Sequence, residues 1–231
     1  MRQLGNDVKI VLLHHSTGRC VWNGGVPEWF ADYNKVNGTD YQIIEQDFPK
    51  KEPYGWRNYP YDYWNIWVNH AGDKPFMEEP TLEILTKQYD VIVFKHCFPV
   101  SAVQPGEGKG DVSDGTKTLA NYKLQYDALK GKLSEFPDTR FVVWTAAALV
   151  EGKTDADQAG RAKEFVDWVT NQWSPDQENI FVWDFNALET EGGLYLKSEN
   201  AAGEMDSHPN EQFCRMAAPC LCEAIVSAIK S

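Results

Sequence analysis

The sequence has no run of about 18 apolar residues, so nothing in it reads as a transmembrane helix. Positive charge is scarce: 22 Lys and Arg stand against 34 Asp and Glu, a net charge of −12. No basic run exceeds Lys50-Lys51, which argues against a nucleic-acid partner, because phosphate binding needs clustered Lys and Arg. The acidity itself reads as solubility. Cysteines number five, an odd count without regular spacing, which excludes a disulfide scaffold. Cys214, Cys220 and Cys222 fall in a helical stretch with no partnering Cys/His set, so they read as buried thiols rather than zinc ligands. Thiols outside a framework lean towards a reducing, cytoplasmic compartment over a periplasmic or secreted one. Met1 to Asp7 carry no apolar leader core and pass straight into a strand-like run. Repeats and low-complexity linkers are missing as well, so residues 1–231 read as a single domain.

What is present alternates. Short apolar runs rich in Val, Ile and Phe lie at Val8 to Leu13, Tyr41 to Ile44, Asp90 to Phe94, Arg140 to Trp144 and Asn179 to Phe185. Continuous apolar runs suit parallel strands covered on both faces. Helical patterns run from about Thr118 to Phe136, from Asp155 to Trp173, and from Glu211 to Lys230. Together they predict an α/β fold, a three-layer αβα sandwich around a central parallel sheet. Pro219 should kink or split the last helix. Two segments break the alternation. Residues 47–80 form an insertion dense in Trp, Tyr and Pro, and residues 99–117 read as a Gly- and Asp-rich loop.

The first strand ends in His14-His15-Ser16-Thr17-Gly18. Ligands of open parallel sheets bind at the carboxyl ends of the strands, so Ser16 stands where a nucleophile is useful. The turn into a helix can aim N–H groups at a developing oxyanion, although a Ser here also suits a helix cap. Near the other end lies Met205-Asp206-Ser207-His208-Pro209-Asn210, just before the last helix. A serine hydroxyl needs a base to take its proton, and a His base needs a carboxylate to fix its tautomer. Asp206 and His208 supply both types.

This order, strand–Ser–helix at the start and acid–His–Pro–Asn before the final helix, resembles the SGNH/GDSL-like hydrolases along nearly the whole chain. Leu13 to Gly18 is similar to the block carrying the nucleophile, and Asp206 to Asn210 to the block carrying the base. Asp90 to Pro99, Trp144 to Leu149 and Val182 to Leu188 fall where the intervening strands and turns belong. The resemblance implies a flavodoxin-like sheet and a serine esterase or deacylase that needs no cofactor or metal. Its catalytic residues here are Ser16, His208 and Asp206, and its substrate is an acylated carbohydrate or related small molecule. The chain departs from the pattern in three places. His14-His15 replace the usual Gly-Asp before the serine. The oxyanion Asn of the third block is missing, which leaves Lys95 and His96 as candidate donors. The acid stands two residues before the His instead of three.

Aromatic faces stack on sugars while their polar tips bond hydroxyls, so Trp22, Trp56, Tyr61 and Trp64, with His15, are candidate substrate contacts; core packing is the alternative for each. Other functions stay open at this level. A glycan-binding protein without turnover would fit the departures. A metal-dependent hydrolase would draw on His14, His15, His96 and His208. A thiol enzyme would use Cys97 with His96 or His208.

Overall fold

The computed structural model describes residues 3–173 and 177–231. In chain order it contains β1 (Asp7–His14), α1 (Thr17–Trp22), α2 (Val26–Asn37), β2 (Asp40–Asp47), α3 (Pro60–Trp64) and α4 (Leu82–Leu85). There follow β3 (Val91–Lys95), α5 (Leu119–Ser134), β4 (Arg140–Trp144), α6 (Ala156–Trp168), β5 (Ile180–Trp183) and α7 (Phe185–Thr190). The chain closes with a hairpin, β6 (Ala201–Gly203) and β7 (Asp206–Pro209), and with α8 (Glu211–Lys230). Strands 1 to 5 make one parallel sheet in the order β2-β1-β3-β4-β5. The protein is thus the α/β sandwich that the apolar runs predict.

Alternation along each strand divides the interior into two cores. Val8, Ile10 and Leu12 join Val91, Val93 and Trp144 in the core beneath α1, α2 and α8. Val11 and Leu13 join Ile92, Phe94 and Val143 in the core beneath α3, α5 and α6. All five residues of β3 and of β4 are buried, as central parallel strands require. The aromatic insertion belongs to the second core. Trp67 is fully buried, stacks on Phe48, meets Tyr63 and Phe94 edge-on, and donates its indole N–H to Pro80 O at 3.1 Å. Burying such a ring together with a satisfied N–H favours packing the insertion onto the sheet over leaving it as a flexible flap.

Pro219 lies inside α8 and does not split it: the helix runs from Glu211 to Lys230. Proline frees the carbonyl four residues back, which belongs to exposed Arg215, where water can satisfy it. The opposite face, including Phe213, Ala217, Leu221 and Ile225, is packed into the core and holds the helix together. By length and mean hydropathy α8 also meets the description of a bilayer-crossing helix, but here the sheet covers its apolar side.

Candidate active site

In the order β2-β1-β3 the connections leave the sheet in opposite directions on either side of β1, and the crevice at that switch point is where such sheets bind ligands. Ser16 stands there, between the end of β1 and the start of α1. Its φ is 45° and its ψ −100°, a backbone region costly for any residue with a Cβ. The turn is held from both sides. His14 is fully buried, and its Nε2 bonds Glu45 at 2.9 Å; Arg19 also reaches Glu45, at 3.2 Å, and Asp47. Gly18 lets α1 close over the His14 ring, because a Cβ there would lie 2.5 Å from His14 Cβ. Burial chiefly, with help from Lys95, pushes the His14 pKa down to about 3 and keeps its ring neutral.

Ser16 Oγ shares a hydrogen bond with His208 Nε2. His208 Nδ1 lies 2.6 Å from Asp206 Oδ1, and the same oxygen accepts the His208 main-chain N–H at 3.0 Å. The two-residue spacing between Asp206 and His208 is accounted for by β7. Residues i and i+2 of a strand project to one side, so Asp206 reaches the imidazole without distortion. The His208 amide and then its ring hold the Asp206 carboxyl below the usual carboxylate range. The acid is half exposed and His208 about one-third exposed, so the base opens to solvent. Phe98, just after β3, packs edge-on against the His208 ring at 5.0 Å. Between acid and base, Ser207 turns inward and its Oγ accepts the Val150 N–H at 3.1 Å, which ties the hairpin to the loop after β4.

Other candidates lie elsewhere. Lys95 and His96 are both buried and project to opposite faces of the sheet, so neither is placed as an oxyanion donor. The Lys95 amine rests 3.8 Å from Cys97 Sγ and over the Trp144 ring. Burial lowers its pKa, while Cys97 and Glu189 oppose that shift. His96 meets Tyr63 edge-on at 4.5 Å, and neither ring nitrogen has a hydrogen-bond partner among the described residues. β3 is the middle strand, so its last residues are roofed on both sides where a polar pair after an apolar run suggests exposure. Trp56 and Trp64 are core residues, not cleft walls. Trp22 and Tyr61 are half-buried, Trp22 against the α8 core and Tyr61 stacked on Tyr59. His15 is half-buried with Nε2 on Pro49 O and Nδ1 3.8 Å from Asp47, so its ring faces protein groups rather than a ligand. Consequently His14, His15, His96 and His208 do not converge, and no group of three His, Cys, Asp or Glu able to hold a metal forms among the described residues. Cys97 is buried against Lys95, away from any role as an open nucleophile. A cavity of about 610 Å³ lies along the hairpin, lined in part by Val150, Tyr195 and Met205, and includes neither Ser16 nor His208.

Sequence reasoning missed Phe98 and Ser207, and no motif marks them.

No family model matches the chain, and no curated protein matches it. Solved structures do. One is BT4096, a gut microbial diltiazem-metabolizing enzyme, with a TM-score of 0.54 and 13% identity over 98% of this chain and 48% of that one. The chain therefore spans about half the length of that enzyme, and the likeness is one of fold. A carbohydrate esterase family 2 enzyme with a carbohydrate-binding domain, from Corynascus thermopiles (Myceliophthora fergusii), aligns at a TM-score of 0.44 and 12% identity, over 99% of this chain and 68% of its own. A further carbohydrate esterase, described as having divergent catalytic and non-catalytic binding functions, aligns at 0.41 and 11%, over 98% and 67%.

Proposed function

We propose that the protein is a serine esterase of the SGNH type that removes an acyl group from a carbohydrate or related small substrate. The observation that carries this reading is the continuous chain of hydrogen bonds from Ser16 Oγ through the His208 ring to Asp206. Ser16 attacks the acyl carbonyl, and His208 Nε2 takes the hydroxyl proton and returns it to the leaving alcohol. Asp206 holds the proton on Nδ1 and stabilises the imidazolium. The Ser16 main-chain N–H, at the start of α1, is the donor for the oxyanion. Water then enters by the same base and releases the acid. The carbohydrate part of the reading rests on the family resemblance and on the partly open Trp22 and Tyr61; the diltiazem-metabolizing enzyme shares the fold and leaves small-molecule esters equally in range.

The test is intact-mass labelling with a serine-reactive fluorophosphonate. One adduct on the wild type, absent from Ser16→Ala, is expected. An unlabelled wild type would overturn the reading. It would then favour a glycan-binding protein without turnover, to which the burial of Lys95 and His96 already points by removing two oxyanion donors. Glycan-array binding by an unlabelled protein would establish that alternative.

A further inference from the structure

We infer that Asn58, in the aromatic insertion, is a positioning residue that sets the geometry of the Ser16–His208 pair; this rests on the esterase reading. β2 and β3 flank β1 on its two sides, so their ends straddle the nucleophile turn. Asn58 bridges those two ends. Its Nδ2 donates to Phe48 O at 2.7 Å, just past β2, and its Oδ1 accepts the Cys97 N–H at 2.8 Å, just past β3. Each bridged segment touches the catalytic groups. Phe48 donates its N–H to His14 O at 3.3 Å, and the next residue, Pro49, gives its carbonyl to the His15 ring, so the two residues before Ser16 are held. Cys97 precedes Phe98, whose ring packs on His208. The bridge therefore acts on the nucleophile through one arm and on the base through the other.

The residue itself is fixed with unusual completeness. Asn58 is 5% exposed and has φ 58°, a left-handed conformation that Asn tolerates better than other residues with a side chain. Its N–H and that of Arg57 both donate to Asp62 Oδ2 at 2.7 Å, and Asp62 is buried on α3. Tyr63, the next residue of α3, adds a parallel tie, its hydroxyl lying 3.2 Å from Phe48 O and 2.8 Å from Lys95 O. This assigns the insertion a task other than lining a cleft: it is the frame that holds the strand ends in register above β1. An amide is suited to the position because it offers a donor to one loop and an acceptor to the other.

The variants are Asn58→Gly, which keeps the left-handed backbone and removes both arms, and Asp62→Asn, which leaves Asn58 in place and loosens its anchor. Each is followed by the rate constant and final amplitude of fluorophosphonate labelling, and by kcat and KM on a small acetyl ester, well below Tm. Misplacing a reacting group by about 1 Å costs on the order of a hundredfold. Asn58→Gly should therefore lower the labelling rate constant and kcat by tenfold or more, roughly, with full amplitude and KM within about twofold. Asp62→Asn should lower them less. A merely structural role would reduce Tm or the labelled fraction while each folded molecule reacted at the wild-type rate, and that outcome overturns the inference. If Asn58→Gly does not fold, Asp62→Asn decides, and a wild-type rate constant there is refutation. Failure to label wild-type Ser16 overturns the esterase reading and this inference with it; a normal wild type with unaffected variants overturns this inference alone.

Discussion

Replacing Asp206 by Asn tests the proposed triad where its geometry is least conventional. In the wild type one carboxylate oxygen takes both the main-chain and the ring N–H of His208, at 3.0 and 2.6 Å. An Asn can keep the main-chain bond, but it presents a neutral oxygen or an NH2 to Nδ1. The second choice forces the proton onto Nε2, the atom that must accept the Ser16 proton. The charge contribution follows from exposure. Unit charges about 4 Å apart interact by about 1 kcal/mol in water and about 4 kcal/mol at an effective dielectric near 20. Asp206 is about half exposed, so its stabilisation of the imidazolium falls between these limits. Each 1.36 kcal/mol, roughly, is tenfold in rate. Asp206→Asn should thus lower kcat/KM by about a hundredfold, short of the roughly ten-thousandfold lost when a buried triad acid is changed. The assay is steady-state hydrolysis of a chromogenic acetyl ester with a fluorophosphonate labelling rate beside it, at low and high salt. A loss under about threefold would mean that Asp206 does not orient His208. A loss as large as that of a buried acid would refute the screening argument.

Three further outcomes follow from the packing. Ser16→Gly should be more stable than Ser16→Ala by about 1 kcal/mol, because only glycine relaxes at φ 45°; equal thermal midpoints would remove strain from the nucleophile turn. His96→Phe should resist acid better than the wild type. Burial first, then Lys95, holds the His96 pKa at about 3 against 6.5 unfolded, so the unfolded chain takes a proton that the folded chain refuses, and stability is lost as pH falls through that window. At pH 5 the difference is about 2 kcal/mol, readable by urea titration, and parallel pH profiles for the two proteins would refute it. Trp64→Phe should lower Tm with KM within about twofold, since Trp64 is packed inside the aromatic cluster; a large KM rise at unchanged Tm would return it to a substrate cleft.

Much of the scaffold was legible because central parallel strands bury both faces and leave unbroken apolar runs. Arg140 to Trp144 is read to the residue, and Val8 to Leu13 lies one residue inside each end of β1. The pairing of Ser16 with His208 was legible because their types, one after the first strand and one just before the last helix, point to one chemistry. The hairpin was not. Ala201 to Pro209 shows no apolar alternation, and without β7 the two-residue spacing of Asp206 looks like a defect rather than a strand. The aromatics were ambiguous for a different reason. Trp and Tyr serve a core and a sugar cleft equally well, and only packing separates Trp56 and Trp64 from half-open Trp22. Asn58 has no sequence signature, because its importance lies in bridging Phe48 and Cys97, residues far apart in the chain.

His208 and Asp206 ride on a hairpin of three- and four-residue strands outside the main sheet, while Ser16 follows directly on a strand of that sheet. The bond joining them closes a loop of 192 residues. Ser16 and His208 therefore meet only once the hairpin has docked beside the sheet. The same division gives the folded protein a weak point. Opening the hairpin breaks the ties at Ser207 and Asn210 and parts Ser16 from His208, yet leaves five paired strands untouched. In rising denaturant, activity should vanish before the circular dichroism of the sheet changes, and amide exchange should be fastest where the proton relay sits.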